Sequence, residues 1–116
     1  MTTLGADERL SCFRFRVVPS TLRCLEIIRV VIQAIEMVTD GPPDVRVYPN
    51  LDGKGGEGVQ IYQPLVESFM IIGTWPAHGF TRIYLASCKP YNVDKVQEFL
   101  ESFLKCKSDM SGHFDF

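Results

Sequence analysis

The sequence predicts an α+β fold, a two-layer sandwich with a mainly antiparallel sheet and two helices on one face. Two observations predict it: the elements run strand, helix, four strands, helix, strand, and the later strands are joined by turn-like segments such as Ala77-His78-Gly79. At 116 residues and 46% hydrophobic content the chain has the material for a single domain over residues 1–116, with 1–9 expected as a flexible tail.

The first strand is read at Leu10–Val18, where Phe13, Phe15 and Val17 alternate with Arg14, Arg16 and Val18. Pro19-Ser20-Thr21 then offers hydroxyl caps to a helix. Its apolar stripe is Leu25, Ile28, Val31, Ile32, Ile35 and Val38, opposite Glu26, Arg29, Gln33 and Glu36, and Gly41-Pro42-Pro43 is expected to end it. Strands follow at Val45–Tyr48, Val59–Tyr62, Leu65–Thr74 and Phe80–Cys88. Gly73, inside one of them, suggests a bulge. A second helix spans Asn92–Lys105, capped by Asn92 and buried along Val93, Val96, Leu100 and Phe103. Phe114 and Phe116, flanking Asp115, suggest a closing edge strand.

Composition excludes several classes of function. The 12 basic and 14 acidic residues give a net charge of -2 and are scattered, so no basic patch argues for nucleic acid. No basic segment followed by an apolar stretch opens the chain, and no apolar run approaches the roughly 18 residues of a membrane span. Four dispersed cysteines, Cys12, Cys24, Cys88 and Cys106, suit reduced thiols in a cytoplasm. Two histidines so far apart, with those cysteines, give no metal-ligand spacing, and the G-x-S-x-G elbow of many hydrolases is absent. Gly53-Lys54-Gly55-Gly56-Glu57-Gly58 matches G-x-G-x-x-G formally. It leads into a strand rather than a helix, so it reads as a mobile loop, with Lys54 at its tip.

The chemistry-bearing pattern is Glu67-Ser68, then Gly73-Thr74-Trp75-Pro76, then Cys88. If the hairpin turn is centred on His78, directly opposed residues have a constant index sum. Trp75 then faces Thr81, and Ser68 faces Cys88 at about 4.5–5.5 Å between Cβ atoms. The turn's last residue, Gly79, accepts positive φ. This stretch resembles the prokaryotic-type, pyruvoyl-dependent S-adenosylmethionine decarboxylases, whose pattern reads roughly Glu-Ser-His-x-x-x-His-Thr-Trp-Pro-Glu. The resemblance extends over about residues 10–116 and is good between Glu67 and Cys88; the chain is read as a divergent member.

The resemblance implies the rest. The Glu67-Ser68 bond would break by attack of the serine hydroxyl on the preceding carbonyl, leaving a pyruvoyl group derived from Ser68 as the only cofactor. Cys88 matches the acid that protonates the carbanion after carbon dioxide leaves; a thiol still carries a proton at neutral pH. Trp75 and Phe69 would line the substrate pocket, with Tyr48 and Tyr62 the nearest candidates for an adenine-stacking ring. Three positions depart from the pattern: Phe69 and Gly73 stand where it has imidazoles and Ala77 where it has a glutamate associated with ribose. Gly73 removes the processing histidine, so self-cleavage is expected to be impaired unless His78 or His113 reaches the site. Three versions of a polyamine-pathway protein follow: a decarboxylase of S-adenosylmethionine, a pyruvoyl-dependent arginine or ornithine decarboxylase, or an uncut binding or regulatory homologue, as a homodimer or as partner of an active paralogue.

Overall fold

The computed structural model describes residues 9–49 and 57–115. Strand β1 (Arg9–Phe15) places Ser11, Phe13 and Phe15 on one face at full burial. It stops three residues before Val18, because the chain turns there and the Val17 carbonyl accepts a hydrogen bond from Thr81 Oγ1 at 2.7 Å. Arg9 belongs to the strand rather than to a tail; the rest of the expected tail, residues 1–8, lies outside the described residues.

Helix α1 (Thr21–Ala34) starts where Ser20 Oγ accepts from the Arg23 amide, and it buries Cys24, Ile27, Ile28, Val31 and Ile32. The expected extension to Val38 fails. Glu36 adopts φ +56°, its amide donates to the Gln33 carbonyl and the Met37 amide to the Ile32 carbonyl. That pair of bonds is a Schellman ending, built here on glutamate rather than glycine. Gly41 (φ +99°) therefore shapes the approach to β2 (Asp44–Tyr48), not the helix end.

Strand β3 (Gly58–Leu65) runs longer than the sequence suggested and takes Leu65 from the next element. Pro64 is tolerated because β2 has already ended opposite Tyr62, so no ladder partner on that side needs its missing N–H. After the two residues Val66 and Glu67, β4 covers Ser68–Trp75. A 3-10 turn at Pro76–His78 and Gly79 (φ +70°) lead into β5 (Phe80–Ser87). Helix α2 (Val93–Leu104) is capped by Asn92 as expected, its side chain accepting from the Lys95 amide, and it ends at Lys105 (φ +53°). Strand β6 (Ser108–Asp115) starts well before Phe114; Phe116 lies outside the described residues.

These strands form one six-stranded sheet in the order β2-β3-β4-β5-β1-β6, every pair antiparallel. At the β1–β6 bulge Asp109 accepts from Arg14 and Arg16 at 2.9–3.0 Å, and those guanidinium groups, Arg14 foremost, hold its carboxyl down to about 2. Both helices pack on one face, where Phe13, Phe15, Ile61, Met70, Ile72, Ile83 and Leu85 meet Ile27, Val31, Val96 and Leu100. Each such large side chain stabilises the fold by about 1.5–3 kcal/mol on burial. The architecture is thus the α+β sandwich that the sequence predicts. The opposite face carries no helix: Tyr48, Tyr62, Trp75, Met110 and Phe114 stand on it, 39–58% exposed. Among the described residues no helix is long and apolar enough to cross a membrane.

Candidate functional site

Glu67 and Ser68 sit at the tightest bend of the sheet. Leu65 and Ser68 are directly opposed, so Val66 and Glu67 alone make the turn, and Glu67 takes φ +58°. The Val66 amide is tied to the Val38 carbonyl at 3.0 Å, which fixes the turn against the segment after α1. A residue with a Cβ is strained in that left-handed region by about 1–2 kcal/mol. Glu67→Gly is therefore expected to raise unfolding stability by about 1 kcal/mol in urea titration. An unchanged or lowered midpoint would mean that the glutamate side chain itself holds the turn.

The expected pairing of Ser68 with Cys88 is off by one residue. Trp75 closes the ladder against Phe80 because Pro76 already belongs to the 3-10 turn, so the loop has four residues and Ser68 opposes Ser87. Gly73 makes no bulge; the register is continuous on both sides of β4. Ser68 lies in step with Met70 and Ile72, the helix-covered side, and is half-buried. Its hydroxyl has no hydrogen-bond partner among the described residues, whereas Ser87 Oγ is engaged twice by Lys89, at 2.8 Å to its carbonyl and to its amide. Cys88 lies in the bend after β5, half-buried and diagonal to Ser68, within about 8 Å of it through the backbone. Ser68 is thus paired with a second hydroxyl, and Cys88 stands one residue beyond the ladder rather than directly opposite it as the index sum implied.

Gly73 occupies the side without helices, between Gln60 and Arg82. It is covered by its own neighbour. A Cβ built at residue 73 would stand 2.8 Å from Cη2 and 3.0 Å from Cζ3 of Trp75. The indole lies back over the glycine, stacked on Phe80 at 5.1 Å and 28°, with the Arg82 guanidinium 5.7 Å from its centre. The indole thus fills the space that any side chain at 73 would need. Sequence reasoning saw the missing imidazole here and missed its replacement, since nothing in a one-dimensional pattern tells which way a tryptophan folds.

Neither histidine compensates. His78 stands at the far end of the hairpin, more than about 20 Å from Ser68 at 3.3 Å per strand residue. His113 lies on β6, three strands from β4 and so about 14 Å or more away. It belongs to another network: its Nδ1 is 3.1 Å from Ser11 Oγ, which is 2.6 Å from the Tyr91 hydroxyl, and Tyr91 donates to the Leu85 carbonyl. No sequence signal joins these residues; Ser11 and His113 are brought together only by the β1–β6 pairing.

The remaining candidates serve the hairpin. Phe69 is half-buried and packs on Tyr62 at 5.8 Å on the helix-free side, and Ala77 is exposed within the 3-10 turn. Thr74 Oγ1 accepts the Val59 amide at 2.9 Å in a buried position. None of the four cysteines forms a disulfide, and burial pushes the Cys24 thiol up to about 11. Among the described residues no group of three metal-ligating side chains converges, and Lys54 lies outside them.

No family model and no curated protein matches the chain. Among solved structures it is similar to the adenosylmethionine decarboxylase from Aquifex aeolicus VF5, at 12% identity, over 96% of this chain and 88% of that one, with a TM-score of 0.66. At that identity the likeness shows the fold alone. The chain has the α+β architecture of an adenosylmethionine decarboxylase.

Proposed function

We propose that the chain is an S-adenosylmethionine decarboxylase-like protein of the polyamine pathway that keeps the Glu67-Ser68 site and does not cut itself. It acts in the cytoplasm as an uncut binding or regulatory homologue. The observation that carries this reading is the indole of Trp75 over Gly73, at the position where the resemblance expects the processing imidazole. With both histidines remote and the Ser68 hydroxyl lacking a side-chain base among the described residues, the surroundings of Ser68 do not fit the making of a pyruvoyl group. Nucleophilic attack by a serine needs such a base and a stabilised oxyanion.

The homodimer implied by the resemblance finds support in the helix-free face. It exposes Trp75, Met110 and Phe114, with Arg14 and Arg82 set among them, a mix of apolar side chains and cations that a second copy could cover. Native and denaturing mass spectrometry of the purified chain test both parts. The expected result is one uncut species near 13.1 kDa under denaturing conditions, unchanged by Ser68→Ala, and a dimer under native ones. Two fragments with a blocked N-terminus at residue 68 would overturn the uncut reading. Decarboxylation of S-adenosylmethionine, arginine or ornithine would then have to be measured. A monomer at all concentrations would remove the dimer alone and point to an active paralogue as partner.

A further inference from the structure

A cavity of about 430 Å³ opens on the helical side of the sheet, between the end of α1 and the start of α2; its rim residue Lys89 is hydrogen-bonded to Ser87, which opposes Ser68. It exists because the Schellman ending stops α1 early, so the chain leaves the helix layer before it can pack along the first turn of α2. Its walls are Val31, Ala34 and Ile35 from α1 and Val96 and Phe99 from α2. Ala34 is exposed and Ile35 and Phe99 are half-buried, so they supply the accessible apolar wall, with the buried Val31 and Val96 behind it.

The mouth is charged. Lys89 and Lys95 both line it, together with Asn92 and Glu36. Lys89 Nζ is anchored by donating to the Glu36 carbonyl at 2.6 Å, which holds an ammonium at the rim. Lys95 is exposed and has no ion-pair partner among the described residues. The same mouth receives the first turn of α2. There the Asn92 side chain satisfies only the Lys95 amide, leaving the amides of Val93 and Asp94 to carry the positive end of the helix dipole. Against these stand the carboxylates of Glu36 and Asp94. Two ammonium groups and a helix start facing two carboxylates favour a single negative charge and disfavour a doubly charged phosphate.

We propose that this cavity binds a small carboxylate with an apolar body, an aryl or alkyl acid, its carboxylate at Lys95 and the start of α2 and its body against Val31, Ile35, Val96 and Phe99. The volume lies within the range of small-molecule sites, which are mostly apolar with a few placed polar groups. The inference stands apart from the self-cleavage site, since none of Glu67, Ser68 or Cys88 lines the cavity.

The test uses 4-phenylbutyrate and its neutral amide as probes on the full chain. Binding is followed by methyl chemical shifts in NMR and by calorimetry. The acid is expected to shift the methyls of Val31, Ala34, Ile35 and Val96 saturably, with the amide at least tenfold weaker. Lys95→Glu should weaken the acid at least tenfold while leaving the circular dichroism spectrum unchanged and melting equal or slightly higher, since an anion suits the first turn of a helix. Lys89→Met serves as a second variant and should weaken it less. Equal affinity for acid and amide, no saturable shift, or shifts mapped instead to the separate groove lined by Leu22, Ile28, Ile32 and Met37 would each overturn the proposal.

Discussion

Gly73→His is expected to leave the chain uncut and to lower its stability by about 1–3 kcal/mol, the usual cost of forcing bulk into a filled space. The substitution returns the imidazole that the family pattern has, yet the new Cβ would stand 2.8 Å from the Trp75 ring. Something must shift, and the indole is the movable part because it is 39% exposed. Swinging away, it gives up the stack on Phe80 and the cation contact with Arg82, together worth about 1–2 kcal/mol. A chain that carries both an imidazole and an indole at these positions must hold its indole elsewhere. The two sites are therefore coupled, and restoring one residue does not restore the arrangement.

A double-mutant cycle reads that coupling. In a Trp75→Ala background the Gly73→His penalty should vanish or reverse sign, because the ring is gone and glycine inside a strand is itself unfavourable by about 0.5–1 kcal/mol. Urea titrations of the four proteins measure it, and mass spectrometry of the same samples reads cleavage. Additive effects within about 0.5 kcal/mol would show that the indole does not guard position 73. Cleavage by the Gly73→His single variant would show that only the histidine was wanting, which contradicts the arrangement proposed here.

The parts of the fold legible in the sequence are those set by periodicity. The alternation of Phe13 and Phe15, the Ile28, Val31 and Ile32 part of the α1 stripe and the Asn92 cap of α2 appear where their residue patterns place them, whereas Val38 falls outside the helix and Cys24 and Ile27 join its buried face. What escaped is set by backbone conformations that residue type disfavours. Glu36 and Glu67 both take positive φ, where glycine or asparagine would have announced a helix end and a hairpin turn. The one-residue error at Ser68 has a different origin. It follows from whether Pro76 closes the ladder or opens the turn, a choice at one residue that decides which side chains share a face. At the candidate site the residue types were legible and their neighbours were not, because Trp75 covering Gly73 is a matter of rotamer.

Thr74→Val is expected to destabilise the chain by about 1–3 kcal/mol although it conserves shape, because it strands a buried donor. Val59 and Thr74 lie at the end of the β3–β4 pairing, and the Val59 amide is satisfied by Thr74 Oγ1 at 2.9 Å. Both residues are buried, 4% and 6% exposed, so water does not replace the lost acceptor freely. Valine's better fit to a strand returns only a few tenths of a kcal/mol. Thr74→Ser keeps the oxygen and should lose much less, and hydrogen exchange at the Val59 amide should accelerate in the valine variant alone. Equal losses for serine and valine would mean that the oxygen counts for no more than the γ-methyl that serine lacks, and would remove the hydrogen bond as the leading cause. The neighbouring geometry explains why this corner tolerates so little. A Cβ at Gly58 would meet the Thr74 carbonyl at 3.0 Å and Pro76 Cδ at 3.5 Å, so β3 begins pressed against the Thr74-Trp75-Pro76 run. In that run Thr74 ties β3 to β4, Trp75 covers Gly73, and Pro76 starts the turn to β5. The members of the decarboxylase pattern that this chain keeps there are those that build the hairpin. The three it lacks, at Phe69, Gly73 and Ala77, are those that would carry chemistry or contact a substrate. That division is the one the proposed uncut, binding role requires.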